Sequence, residues 1–295
     1  MRGIVVAPQR ARGRAEDWST LALPMRADLH SHTTASDGKL SPLSLLERAR
    51  VAEIEMLAIT DHDTIAAYAE LPPVTDLKLI SGVEFSTLWQ RVGIHVLGLN
   101  IALDSPAMGH AIAFQQRARD ARAARIAARL AKRGIPDALA GAAHFAGGGS
   151  IGRPHFAHYL VSIGAAATVE FAFRKYLDTA RTGNLLEGWA SLPDIVGWIR
   201  AAGGTPVIAH PGKYHLTHAR LEQLTSEFHA AGGLAIEVVS GQQKPELTRD
   251  LAALANRYGL AASMGSDFHQ PGQVWAQLGV MPALPDSCQP VWQLW

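Results

Sequence analysis

The chain has 295 residues, 48% of them hydrophobic and 18% charged, which fits a folded globular protein with a sizeable core and argues against disorder. Its 27 Lys and Arg stand against 26 Asp and Glu, and a net charge of +1 excludes attachment to nucleic acid by bulk positive charge, leaving room only for a local basic patch. One cysteine, Cys288, excludes an internal disulfide and a cysteine-built zinc site, and no apolar run approaches the roughly 18–20 residues of a membrane span.

Residues 1–24 carry little pattern and read as a loose leader. Their one apolar stretch, Ile4–Ala7, is too short for a signal-peptide core, so the cytoplasm is the expected compartment. From Arg26 onward, short apolar runs alternate with helical stretches. Ala27–Leu29 is the first strand candidate. Ser41-Pro42 then opens a helix to about Ala52, with a Ser cap followed by Pro at the first helical position. Met56–Thr60, Leu79–Glu84 and Gly93–Leu99 are the next strands. That spacing predicts βαβ units and a parallel sheet.

After Asn100 the rhythm changes. The segment holds Ala- and Arg-rich helical stretches, Gly147-Gly148-Gly149, and one weak strand signal near Gly183–Leu186. Strands resume at Pro206–Ala209, Ala235–Val239 and Ala261–Met264. The expected organisation is a barrel built from 25–100 and 191–295, interrupted by a mostly helical insertion, 101–190, that carries Arg153 and His155.

Polar residues gather at the carboxyl ends of the expected strands. His30 and His32 follow the first, His62 the second, and Glu84 ends the third. His210 follows Pro206–Ala209, and Asp267 and His269 follow Ala261–Met264. In a parallel α/β barrel these ends converge on one face, where active sites are built. On extended chain, His30-Ser31-His32 turns both imidazoles to the same side. Two imidazoles can then grip one cation, with Glu84 and Asp267 offsetting its charge. Such a donor set suits zinc, iron or manganese.

Asp28-Leu29-His30-Ser31-His32, Thr60-Asp61-His62-Asp63, Gly82-Val83-Glu84 and Ser266-Asp267-Phe268-His269 resemble the four motifs of the polymerase and histidinol phosphatase (PHP) family. The resemblance implies an α/β fold, a distorted (β/α)7 TIM-like barrel with two or three metals. Asp28–Gly38, Ile59–Thr64, Gly152–Ala157 and Ala209–Gly212 are similar to one branch, whose members act on nucleotides and 5′-phosphorylated RNA. Carried over by motif, His30, His32, Glu84 and Asp267 hold a first metal. Glu84 bridges to a second, completed by His95 and His155, and Asp37, His62 and His269 hold a third. Read by themselves, Asp37 is a turn residue, His95 a buried-strand imidazole, and His155 part of a helix start after Pro154. The family often has His where this chain has Asp37. The hard carboxylate tilts that site toward manganese, magnesium or iron over zinc.

His210 is left as a phosphate contact or a proton donor to the leaving group. Arg153 and Lys213 are the candidate phosphate contacts, a guanidinium through paired hydrogen bonds and an ammonium as a point charge. His110, His144, His158, His215, His218 and His229 read as ordinary histidines. On the insertion, Arg122, Arg125, Arg129 and Lys132 share one helical face opposite Ile126 and Leu130. That face reads either as a solvated surface or as a basic wall for a phosphate-bearing substrate. No aromatic residue is interleaved with it.

The resemblance therefore implies a metal-dependent phosphoesterase using two to three divalent ions, Mn2+ foremost with Fe or Zn as alternatives. Its substrate would be a nucleoside 3′,5′-bisphosphate that loses its 3′-phosphate, and short 5′-phosphorylated RNA would be trimmed from its 5′ end by the same site. No membrane and no obligate protein partner are expected. The alternatives are a histidinol-phosphate-type phosphomonoesterase, a non-catalytic nucleic-acid-binding module, and, more distantly, an amidohydrolase.

Overall fold

The computed structural model describes residues 25–177 and 188–295. The expected leader and the weak strand signal at Gly183–Leu186 lie outside the described residues. Seven strands form one sheet in sequence order: β1 (Ala27–Asp28), β2 (Met56–Ile59), β3 (Lys78–Trp89), β4 (Val92–Leu99), β5 (Thr205–Ile208), β6 (Ala235–Ser240) and β7 (Ala261–Gly265). The sheet curls until its ends meet. Beyond the short β1, Leu29 N–H donates to Met264 O at 3.0 Å and Asp267 N–H to His30 O at 2.9 Å. Gly265 permits this seam, because a Cβ there would stand 2.3 Å from the Cβ of His30. The result is a nearly closed α/β barrel with eight α-helices among the described residues.

Local chemistry accounts for the elements. α1 (Pro42–Val51) starts at Ser41, whose Oγ accepts the Ser44 N–H, and buries Leu45, Leu46 and Ala49 on one face. β2 reads Met-Leu-Ala-Ile and is buried throughout, as a strand covered on both faces should be.

The sheet is not wholly parallel, contrary to the expectation from spacing. β4 runs antiparallel to both β3 and β5. Trp89 pairs with Val92, and Gln90 and Arg91 between them have φ of 46° and 70°. Two residues cannot make a parallel crossover, and positive φ at both suits a tight hairpin. The reversal matters for the site. His95 sits near the start of β4, yet it lies level with the interior of β3, opposite Ser86 and next to Glu84.

Four helices follow β4: α2 (Pro106–Ala131), α3 (Ala138–Ala146), α4 (Arg153–Ser162) and the short α5 (Val169–Ala172). They have a core of their own that includes Ile126, Leu130, Phe156 and Leu160. The first half of α2 belongs to the barrel core instead, through Met108 and Ala111. The long helix thus ties the helical segment to the barrel. α6 (Leu192–Ala201), α7 (His218–Ala230) and α8 (Pro245–Tyr258) pack outside the later strands.

Candidate metal centre and substrate cavity

At the barrel mouth, buried imidazoles and carboxylates meet at close range. Glu84 is fully buried, and its two oxygens face different groups. Oε2 lies 3.4 Å from His30 Nε2, 3.3 Å from His32 Nε2 and 2.9 Å from His62 Nδ1. Oε1 lies 2.9 Å from both His95 Nδ1 and His210 Nε2, which are 3.3 Å apart. Asp267 Oδ1 closes the first group, 3.3 Å from His30 Nε2 and 3.2 Å from His32 Nε2. A third group gathers on Asp37, with His269 Nε2 at 3.4 Å and His62 Nε2 at 3.8 Å.

These distances bear on whether a cation fits. With ligand bonds of about 2.0–2.2 Å, donors of a tetrahedral site lie roughly 3.4 Å apart. The first group matches that spacing. His30 Nε2, both nitrogens of His32, His62 Nδ1 and Glu84 Oε2 are buried, and no hydrogen bond satisfies them among the described residues. Buried polar atoms are almost always satisfied, so a converging set of unsatisfied donors fits metal ions. Burial alone would raise the Glu84 carboxyl, but the imidazoles of His95, His62 and His30 hold it well below the usual carboxylate range. Burial, helped by the neighbouring His269, pushes His32 down to about 3, and burial likewise takes His95 down to about 4 despite Glu84. Both rings are therefore neutral and keep a lone pair for ligation.

The structure brings His30, His32, Asp37, His62, Glu84, His95, Asp267 and His269 together in one cluster. His155 does not join them. It is the third residue of α4, and its Nδ1 accepts the Gly152 N–H at 3.0 Å, which caps the helix. Beside Glu84 and His95 stands His210. The pairing of β4 with β5 explains this: His210 leaves β5 just past Ile208, whose partner is Val96, so the two imidazoles are strand neighbours.

Surrounding groups hold the cluster in position. Glu237, fully buried in β6, accepts from His30 Nδ1 at 3.1 Å and from the His210 N–H. Asp61 accepts from Thr33 N–H at 2.8 Å and from the hydroxyls of Thr33 and Ser36 at 2.6 Å, pinning the turn that carries Asp37. Asp63 does the same for the far wall. It accepts from Ser86, from Gln115 Nε2 at 2.7 Å and from Arg119 Nε at 2.8 Å. His210 and Asp267 have φ of 26° and 54°, so the chain adopts left-handed backbone where it aims these side chains inward.

A cavity of about 570 Å3 opens onto the cluster, with Arg91, Arg122, Arg153, Lys213 and Trp189 on its walls. Lys213 is paired with Asp267. Arg153, at the start of α4, stands 5.7 Å from the Phe173 ring. Arg122 stacks on Trp189 at 5.5 Å beside Arg119, which stacks there at 5.7 Å. Burial and the neighbouring Arg153 and Arg119 push the Arg122 guanidinium down to about 9. A guanidinium stays charged near neutral pH, so this crowding marks a place where an anion would relieve repulsion. Sequence reasoning missed Glu237 and Trp189, and it gave Asp63 no role beyond its place in a motif. A lone acid inside the apolar run Ala235–Val239 was the available signal for Glu237.

A buried imidazole and carboxylate cluster at the mouth of a seven-stranded barrel defines a metal-dependent phosphoesterase of the PHP family, and the chain belongs to that family. Its relatives in that family include proteins named as a 5′-3′ exoribonuclease and as a 3′,5′-nucleoside bisphosphate phosphatase. It is 45% identical to the 5′-3′ exoribonuclease Rnm of Escherichia coli, covering 91% of this chain and 93% of the relative. It is 39% identical to the 3′,5′-nucleoside bisphosphate phosphatase of Chromobacterium violaceum, covering 90% and 95%. Among solved structures, an amidohydrolase from C. violaceum with bound sulfate and no metal superposes with a TM-score of 0.81 at 38% identity, covering 91% and 95%. A Bifidobacterium adolescentis protein bearing the name of a metal-dependent phosphoesterase superposes with a TM-score of 0.72 at 28% identity, covering 88% and 93%. No family model matches the chain. Among the described residues, no helix is long and apolar enough to cross a membrane.

Proposed function

We propose that the protein removes the 3′-phosphate of nucleoside 3′,5′-bisphosphates, and that the same site cuts the first linkage of 5′-phosphorylated RNA. The observation that carries this reading is the shared cavity. One wall is the metal-ligand cluster; another presents Arg122 and Arg153 beside Trp189. A substrate with a phosphate at each end of a nucleoside matches both. The curated relatives named for bisphosphate and RNA hydrolysis support it.

In this reading three divalent ions bind. His30, His32, Glu84 and Asp267 hold one; Glu84, His95 and His210 a second; Asp37, His62 and His269 a third. The absence of thiolates and the carboxylate of Asp37 favour Mn2+. Such ions, when bound, make water a stronger nucleophile and neutralise phosphate oxygens. Residues 25–100 and 191–295 then supply the metal side, and the helical segment 101–190 supplies most of the phosphate-binding wall. In the reaction the water oxygen bonds to phosphorus and the P–O3′ bond breaks. O3′ leaves with the electron pair and takes up a proton. Arg122 and Arg153 hold the 5′-phosphate, and Trp189 lies beside them as a flat surface for the base.

The test compares a 3′,5′-bisphosphate with the matching 3′-monophosphate, reading phosphate release in Mn2+. Hydrogen bonds to charged groups contribute about 1.5–3 kcal/mol, so losing the 5′-phosphate should lower kcat/KM by roughly 10- to 150-fold. In Arg122→Ala that difference should shrink. Equal hydrolysis of both compounds by the unmodified protein would replace this reading with a general phosphomonoesterase.

A further inference from the structure

A second depression meets the first at the metal cluster. This outer groove, about 370 Å3, shares Lys213, Asp267 and His269 with the main cavity and runs on past Asp37 to Lys39, His158 and Trp275. Trp275 is 65% exposed, although it is the kind of large ring that folding usually covers. Its backbone is fixed. Trp275 O accepts the Gln242 N–H at 2.9 Å. The Gly241 backbone, at φ 53°, passes so close that a Cβ would stand 2.3 Å from that oxygen. The indole is thus presented to solvent from an anchored turn over Val274–Ala276. His158, also on the groove, stacks on Phe145 with ring centroids 6.0 Å apart. The acids on the groove, Asp37 and Asp267, both belong to the metal-ligand groups. Beyond them the groove offers the rings of Trp275 and His158, the cations Lys39 and Lys213, and the amides of Gln270 and Gln273. Aromatic faces with cations beside them form the chemistry that holds single-stranded nucleic acid.

The reaction itself calls for a second subsite when the substrate is RNA. The scissile phosphorus then carries two nucleosides, one through O3′ and one through O5′. The main cavity has the cationic wall for the first nucleotide and its 5′-phosphate. The O5′ substituent must leave the cluster by another route. We propose that the outer groove takes the second nucleotide of a 5′-phosphorylated oligoribonucleotide, with its base stacked on Trp275. This rests on the phosphoesterase reading above and makes RNA, not only mononucleotides, a substrate the protein is built to hold. Because the P–O3′ bond breaks, the phosphate stays on the second nucleotide. Each cut therefore recreates a 5′-phosphorylated end for the main cavity.

The experiment uses the full chain in Mn2+ with two substrates, a 3′,5′-bisphosphate and a 5′-phosphorylated triribonucleotide, and the variants Trp275→Ala and Trp275→Phe. Base stacking removed by alanine corresponds to roughly a tenfold loss. Trp275→Ala should raise KM for the trinucleotide about tenfold with kcat little changed, and leave bisphosphate hydrolysis within about twofold. Trp275→Phe, which keeps a ring, should recover most of the loss. An unchanged trinucleotide KM in Trp275→Ala overturns the proposal, as does an equal loss on both substrates. Cleavage of the bisphosphate but not of the trinucleotide by the unmodified protein removes the groove and leaves the mononucleotide activity standing. Failure on both substrates removes the phosphoesterase reading itself.

Discussion

Glu237 reaches neither cavity wall, yet it holds two histidines of the cluster, of which His210 lines the main cavity. Its carboxylate accepts from His30 Nδ1 at 3.1 Å, which orients the ring so that Nε2, facing Glu84 and Asp267, is the atom a metal would take. It also accepts the His210 N–H, fixing a residue whose φ of 26° is otherwise disfavoured. Glu237→Gln keeps the shape but weakens both bonds. Partners of this kind typically contribute 10- to 100-fold in metal affinity. The variant should therefore bind Mn2+ about 10- to 100-fold more weakly in a calorimetric titration, with its circular dichroism unchanged. Unaltered Mn2+ affinity would make Glu237 a packing residue. At this scale the sequence was legible where motifs repeat a spacing, as in His30-Ser31-His32. It was silent where proximity depends on strand pairing, as in the approach of His210 to His95 and Glu84. No spacing rule tells that residue 95 and residue 210 are neighbours.

Among the elements, strand positions were legible from apolar runs bounded by turn residues, and α1 from its Ser-Pro start. Strand direction was not. Gln90-Arg91 lacks the Asn-Gly or Asp-Gly signature of a tight hairpin, so the reversal at β4 left no mark in composition. The aromatic partner of the Arg-rich helix was hidden for a similar reason, since Trp189 is far from α2 in the chain. Element geometry also sorts the glycines. Gly265 lies on the seam between β7 and the chain after β1, where a methyl group would strike His30. Gly109 lies in α2 with nothing within 4 Å of a built Cβ. Gly265→Ala should therefore lower stability by about 1–3 kcal/mol, as overpacking does, and displace His30. Gly109→Ala should raise stability by about 0.5–1 kcal/mol, through helix propensity alone. Urea unfolding of the pair checks both signs. Similar values for the two would mean that the seam yields to an added methyl and is not a close contact.

For the whole molecule, a net charge of +1 conceals a strong internal separation. Carboxylates converge at the cluster, while Arg119, Arg122 and Arg153 stand beyond it. The barrel mouth thus sets a crowded anionic and imidazole cluster beside a guanidinium-rich wall, although Arg119 is itself paired with Asp63. Metal binding should then be a substantial part of the protein's stability, because an ion that binds the folded chain alone stabilises it by mass action, about 2.7 kcal/mol at a hundredfold excess over its Kd. The unfolding midpoint in excess Mn2+ should exceed that in chelator by several degrees. The gap should also depend on pH, with a definite sign. Burial would lower His269, but Asp37 and Asp267 raise it to about 9 in the metal-free fold. A proton on that ring stabilises the metal-free fold below its ordinary value, and that stabilisation is lost as pH rises through about 9. The same proton must leave before the ring can bind a metal. Both effects narrow the gap between the two midpoints as the solution is acidified. Calorimetric scans with Mn2+ and with chelator, run from about pH 8.5 down to about pH 6, should show that narrowing. A gap that stays constant, or widens in acid, would mean that His269 does not bind the ion. No gap at any pH would mean that the folded barrel mouth holds no metal.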